Sequence, residues 1–213
     1  PYFVPYLLRI MRKAILIPIL FTCLMWTLFI IHFFTNVNFS YLGIHPRDSH
    51  TLIGIFTAPL IHGNWEHLIS NTLPILILGS ILLYMNKKIG ILIFICNYLI
   101  TGLLVWCFAR GNSYHIGASG IIYGMASFLL FNGFFRMDIK SIAIASGVAL
   151  FYGGMVWGII PEQAGISWES HLAGSFSGFV LAFIFRNWHK DDLYKIEENE
   201  TMQRKTFEEY INR

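Results

Sequence analysis

Ser119 stands in Gly117-Ala118-Ser119-Gly120 and His171 in His171-Leu172-Ala173-Gly174, each where a long apolar stretch begins. A hydroxyl beside an imidazole pairs a nucleophile with a base. Serine is weakly reactive at its own pKa and attacks a carbonyl only in hydrogen-bond contact with a base, which can later protonate the leaving amine. Ionisable side chains are rare inside membrane helices and mark function there. A third group opens another apolar stretch, His62-Gly-Asn-Trp-Glu-His67-Leu-Ile-Ser-Asn71. His67 and Asn71 are four apart and share a helix face, as do Ser119 and Tyr123. Asn71 and His67 can donate to a developing oxyanion, together with the Ser119 backbone amide at a helix N-terminus. Tyr123 can hold the imidazole by packing or a hydrogen bond. No Asp or Glu is placed to orient His171 as in a triad, so a Ser–His dyad is the economical reading.

These residues need elements that bring them to one layer. The chain has 213 residues, of which 55% are hydrophobic and only 13% charged. Soluble domains carry about a quarter charged residues, so this composition is that of an integral membrane protein. Spans of about 20 apolar residues are predicted at roughly 14–34, 65–85, 89–109, 118–135, 141–160 and 170–188. They make an all-α polytopic protein with a membrane domain over 1–188 and a polar tail over 189–213. With the N-terminus inside, the inner segments hold Arg9, Arg12, Lys13, Lys87, Lys88, Arg136, Lys140, Arg186 and Lys190, and the outer loops only Arg47 and Arg110. This bias puts both termini in the cytoplasm. No cleavable signal peptide is read, because the first apolar stretch is too long and no small-residue cleavage site follows it. The loop over 35–63, with Leu52-Ile-Gly-Ile-Phe56, is expected partly in the membrane interface.

Composition also excludes. Seven of the twelve acids crowd into the last 23 residues, and the others sit in loops or at span edges. A proton-coupled transporter or an aspartyl intramembrane protease needs a carboxylate in mid-span. Cys23, Cys96 and Cys107 match no metal or paired-cysteine spacing. No His-Glu-x-x-His occurs, which removes the usual signature of a zinc hydrolase. Gly120 with Gly124, and Gly174 with Gly178, form two small-residue stripes that permit close helix approach. If they face each other, His171 comes within reach of Ser119. Each residue also has an ordinary reading. Ser119 can be a helix N-cap, His171 an interfacial histidine, and Tyr123 plain packing. His67 and Asn71 can satisfy loop backbone.

Taken in order, His62-x4-His67-x3-Asn71, Gly117-x-Ser119-Gly120 with Tyr123, and His171-x2-Gly174-x3-Gly178 resemble the rhomboid family of intramembrane serine proteases. The resemblance spans roughly 14–188. It implies a six-transmembrane-helix rhomboid-like bundle with a water-filled cavity open to the outer side, in a bacterial inner (cell) membrane. Ser119 would be the nucleophile and His171 the general base. Asn71, His67 and the Ser119 amide would form the oxyanion hole. Tyr123 would stack on the histidine, His62 would be structural or part of a water network, and Gly117 would shape the nucleophile loop. The implied partners are transmembrane protein substrates and membrane lipids. No cofactor, metal or nucleic acid enters, and the oligomeric state is open. A rhomboid-like protein that binds clients without cleaving them is the alternative, although such relatives typically lose the serine or the histidine. One departure stands out: many members carry a Trp-Arg pair in the first outer loop, where this chain has Leu52-Ile53-Gly54-Ile55-Phe56.

Overall fold

The computed structural model describes residues 3–161 and 167–188, with side chains from residue 14 onward. The described chain is mostly helical and holds no strand, only one antiparallel bridge between Ile44 and His115. The polar tail expected over 189–213 lies outside the described residues.

α1 runs Phe3–Thr35 and stops at Asn36, whose φ of 57° is left-handed and breaks the helical hydrogen bonding. A loop of short turns follows, including the one-turn helix α2, Gly54–Thr57. α3, Trp65–Met85, begins where the Asn64 side chain accepts the His67 amide at 2.8 Å, with Glu66 favourably placed in the first turn. α4 covers Gly90–Phe108 and α5 covers Ser119–Arg136. Met137, at φ 55°, ends α5, and Asp138 caps α6, Ile139–Tyr152, by accepting the Ser141 amide at 3.0 Å. The chain then tightens into a 3-10 segment, Gly153–Ile159. α7, Trp168–Phe185, is capped by Ser167.

Among the described residues, four stretches are long and apolar enough to cross a membrane: Ala14–Thr35, Trp65–Met85, Gly90–Phe108 and Ile139–Ile159. α5 and α7 are 18 residues each but are diluted by Ser, Gly, Asn, Glu and His. They are the two helices that carry the Ser and His of interest. The predicted fifth span, 141–160, is α-helical only as far as Tyr152 and 3-10 from Gly153 to Ile159. Gly153, Gly154 and Gly158 explain the change, since glycine is the poorest helix former after proline.

α5 and α7 form the central seam. A Cβ on Gly174 would collide with the Gly120 carbonyl, and one on Gly178 with the Gly124 carbonyl. The two stripes therefore face each other with backbone against backbone. On its other side Gly124 accommodates Asn97 of α4, which donates from Nδ2 to the Ile121 carbonyl at 3.0 Å. Around this polar contact Leu68, Ile75, Leu78, Ile93, Ile121, Met125 and Phe128 are fully buried and belong to the apolar core.

The loop between α1 and α3 is anchored without the Trp-Arg pair. Position 54 has no room for a side chain, because a Cβ there would meet the Gly43 carbonyl. Arg47 instead donates from Nη1 to the Ala109 carbonyl at 2.7 Å and toward that of Cys107 at 3.4 Å. These acceptors lie at the end of α4, where carbonyls lack helical partners. Trp106 of α4 donates back to the Asp48 carbonyl at 3.0 Å.

Candidate functional site

Ser119 is the first residue of α5, and Ala118 occupies the N-cap without a side-chain bond. The hydroxyl is therefore not spent on capping. It lies 2.8 Å from Nε2 of His171, one turn into α7. The other ring nitrogen, Nδ1, lies 2.8 Å from the carbonyl of Gly158. A carbonyl only accepts, so Nδ1 carries the proton. Nε2 is then the free acceptor facing the serine hydroxyl, which is the tautomer a general base requires.

Tyr123 lies one turn below Ser119. Its ring stacks on the imidazole with centroids 4.0 Å apart and planes 6° from parallel. Its hydroxyl donates to the Met155 carbonyl at 2.7 Å. The imidazole is thus fixed in plane by Tyr123 and in rotation by the Gly158 carbonyl. His171 is 7% exposed, so little water competes for these bonds.

Gly117 takes φ 103°, a backbone that side-chain-bearing residues rarely adopt, and a Cβ there would also enter the ring of His67. Its amide donates to the Ala58 carbonyl at 2.8 Å, which ties the turn before Ser119 to the end of the first loop. Asn71 is buried at 3% exposure and donates from Nδ2 to the His67 carbonyl at 2.6 Å. A primary amide has two N–H donors, so one remains. The Ser119 amide belongs to the first helical turn, whose donors have no partner within the helix. His62 packs edge-on against His67, with centroids 4.9 Å apart. Burial, reinforced by His67, lowers the His62 pKa to about 4. It is neutral near pH 7.

Two features escaped sequence reasoning. The Gly158 and Met155 carbonyls are backbone groups and leave no signal in residue types. His115 is the other: Nδ1 lies 2.5 Å from the Ser167 hydroxyl and Nε2 3.0 Å from the Arg110 carbonyl. Beside it Arg110 forms an ion pair with Glu169 at 2.9 Å. Together these contacts fasten the loop before α5 to the start of α7. Glu169 is the nearest acid in sequence to His171, and it serves this fastening.

Fold and site together define a helical membrane protein with a serine–histidine pair at the starts of its two central helices. The rhomboid domain family model matches residues 49–188. The chain belongs to the rhomboid family. It is 35% identical over 150 residues to an uncharacterized protein of Mycobacterium tuberculosis, covering 67% of this chain and 62% of that relative. To an uncharacterized protein of Mycobacterium leprae it is 33% identical over 172 residues, 77% of this chain and 68% of the relative. It is also similar to the chloroplastic rhomboid-like protein 11 of Arabidopsis thaliana, at 26% over 147 residues, 60% of this chain and 50% of the relative. The chain thus spans a little under two thirds of the length of the first mycobacterial relative it matches.

Proposed function

We propose that the protein is an intramembrane serine endopeptidase that hydrolyses peptide bonds in or near transmembrane segments. The observation that carries this reading is the 2.8 Å contact of Ser119 Oγ with His171 Nε2, on an imidazole whose Nδ1 is held by a carbonyl. As Oγ attacks the scissile carbonyl carbon, its proton passes to Nε2. The carbonyl oxygen gains charge, and the Ser119 amide, the remaining Asn71 N–H and His67 are its donors. The resulting imidazolium donates its Nε2 proton to the leaving amine. An acyl-enzyme at Ser119 remains. Water then attacks the ester while His171 takes its proton, and return of that proton to Oγ frees the acid product and regenerates the serine.

The substrate must present an accessible carbonyl. A transmembrane helix keeps its carbonyls in its own hydrogen bonds, so the segment cleaved has to unwind locally. Substrates are accordingly transmembrane proteins with a helix-weakening stretch near the outer face. In this reading the six long helices all cross the bilayer and lipid surrounds them. The 1–188 membrane domain sits in a bacterial inner membrane with both termini cytoplasmic, and 189–213 is a cytoplasmic tail. The excess of Lys and Arg in alternate loops supports this orientation.

The test is cleavage of a single-span membrane substrate in detergent micelles, by wild type and by Ser119→Ala. Wild type is expected to cleave and Ser119→Ala to lose activity by on the order of 10⁴-fold or more while staying folded. Cleavage by Ser119→Ala would remove the serine from its assigned role. A folded wild type that neither cleaves nor reacts with a fluorophosphonate at Ser119 would favour client binding instead.

A further inference from the structure

The histidine is held by an element that carries no catalytic side chain. The 3-10 segment Gly153–Ile159 offers two carbonyls three residues apart. One, from Met155, accepts the Tyr123 hydroxyl at 2.7 Å, and the other, from Gly158, accepts His171 Nδ1 at 2.8 Å. The two stacked rings are thus both bound by one stretch of backbone. The approach is close because residue 158 has no side chain: a Cβ there would collide with the Tyr123 hydroxyl and stand 3.0 Å from His171 Nδ1. The rest of the segment buries little, with Val156 57% and Trp157 69% exposed.

We propose that Gly158 is a positioning residue: its carbonyl fixes the tautomer and ring rotation of His171, and only glycine at this position lets it do so. The proposal rests on the dyad reading above. It assigns to a main-chain carbonyl the work that a carboxylate does in a triad. It also makes competence of the base depend on where the 3-10 segment sits. Displacing that segment leaves Ser119 and His171 on their own helices but frees the imidazole to flip or change tautomer.

Two experiments test this. In the first, Ile159 is replaced by its α-hydroxy acid through nonsense suppression, which turns the Gly158 carbonyl into an ester carbonyl, a weaker acceptor. The same exchange at Trp157 is the control, since it disturbs the segment equally but leaves the Gly158 carbonyl an amide. The ester after Gly158 is expected to slow fluorophosphonate labelling of Ser119 by on the order of 10-fold. It should also move the acid limb of the labelling profile to lower pH, because a weaker acceptor stabilises the imidazolium less. The control ester should not move that limb. Equal behaviour of the two esters, or wild-type behaviour of the first, overturns the proposal. ¹⁵N spectra of His171 give a readout that needs no proteolysis. Wild type should show one Nδ1-protonated tautomer and the ester variant a mixture; an unchanged spectrum counts against the proposal even if the protein cleaves nothing.

The second experiment uses Gly158→Ala, Tyr123→Phe and the pair together. Gly158→Ala should label slowly, and removal of the Tyr123 hydroxyl should partly restore it, since that oxygen is the atom the new methyl meets first. A double variant no faster than Gly158→Ala refutes the geometry. Cleavage by Ser119→Ala, run in parallel, would bring down the dyad reading itself.

Discussion

The α5–α7 seam and the α6 region are built to opposite specifications. In the seam, glycine faces backbone carbonyl at Gly174 and Gly178, with nothing between the helices that could rearrange. In Ile139–Ile159 only 6% of the most apolar stretch is buried, against 39% for Trp65–Met85, and Leu150 and Phe151 are 78% and 80% exposed. Ser119 and His171 stand on the tight pair, whereas the carbonyls that orient the imidazole and its stacking tyrosine come from the loose one. The distance between nucleophile and base is thus set by backbone-to-backbone helix packing, and the state of the base by a segment that buries little of itself. Helix packing alone brings the reacting atoms together; a separate element decides whether they are ready.

The comparison can be broken most forcefully in the seam. Gly174→Val would drive a branched side chain into the Gly120 carbonyl, and backbone cannot step aside. A cost of about 3 kcal/mol or more is expected, seen as loss of folded protein after extraction. A normal thermal midpoint would show that the helices are not in contact there. Asn97→Val is milder. It removes a buried donor to the Ile121 carbonyl and should cost about 1–2 kcal/mol in detergent unfolding. No change would mean the carbonyl finds another partner.

The third expectation concerns acid. His62 titrates near 4 in the folded protein and near 6.5 when unfolded, so between these values the unfolded chain binds more protons. Stability is fully present above about pH 6.5 and declines as pH falls toward 4. His115, also lowered by burial, adds in the same direction. Thermal midpoints recorded across this window should fall in the wild type and fall less in His62→Asn; parallel curves would remove His62 as a source. The smallest effect belongs to the loose region. Phe151→Ala is expected to change stability by less than about 0.5 kcal/mol. A large loss would reveal packing on that face and erase the contrast.

Most of the site was legible because it is made of residue types. Serine within a Gly-x-Ser-Gly turn, two histidines and an asparagine at helical spacing, and paired glycine stripes all leave marks in sequence. Span two, 65–85, coincides with α3, and α4, α5 and α7 lie within about three residues of their predicted ends, as helix ends do, whereas α1 begins at Phe3, well before the predicted residue 14. The fifth span was read by hydropathy alone, which cannot tell an α-helix from a 3-10 segment of the same composition. Its three glycines were the available warning. Backbone carbonyls are identical at every residue, so nothing in the sequence singles out Gly158 as an acceptor. The fastening role of His115 was hidden for a different reason: its partner Ser167 is far away along the chain, and only the fold brings them to 2.5 Å. The Trp-Arg pair illustrates the converse. Its absence from 52–56 suggested an altered anchor, and the structure supplies one from Arg47 and Trp106.

That anchor behaves unlike an ordinary ion pair. Arg47 grips main-chain oxygens, and neither a guanidinium nor an amide carbonyl changes protonation anywhere in the range a cell encounters. A loop held by carboxylates would loosen as its surroundings acidify. Here the contact that fastens the first loop to the end of α4 is unchanged through such a shift, although His62 further along the same loop gains charge.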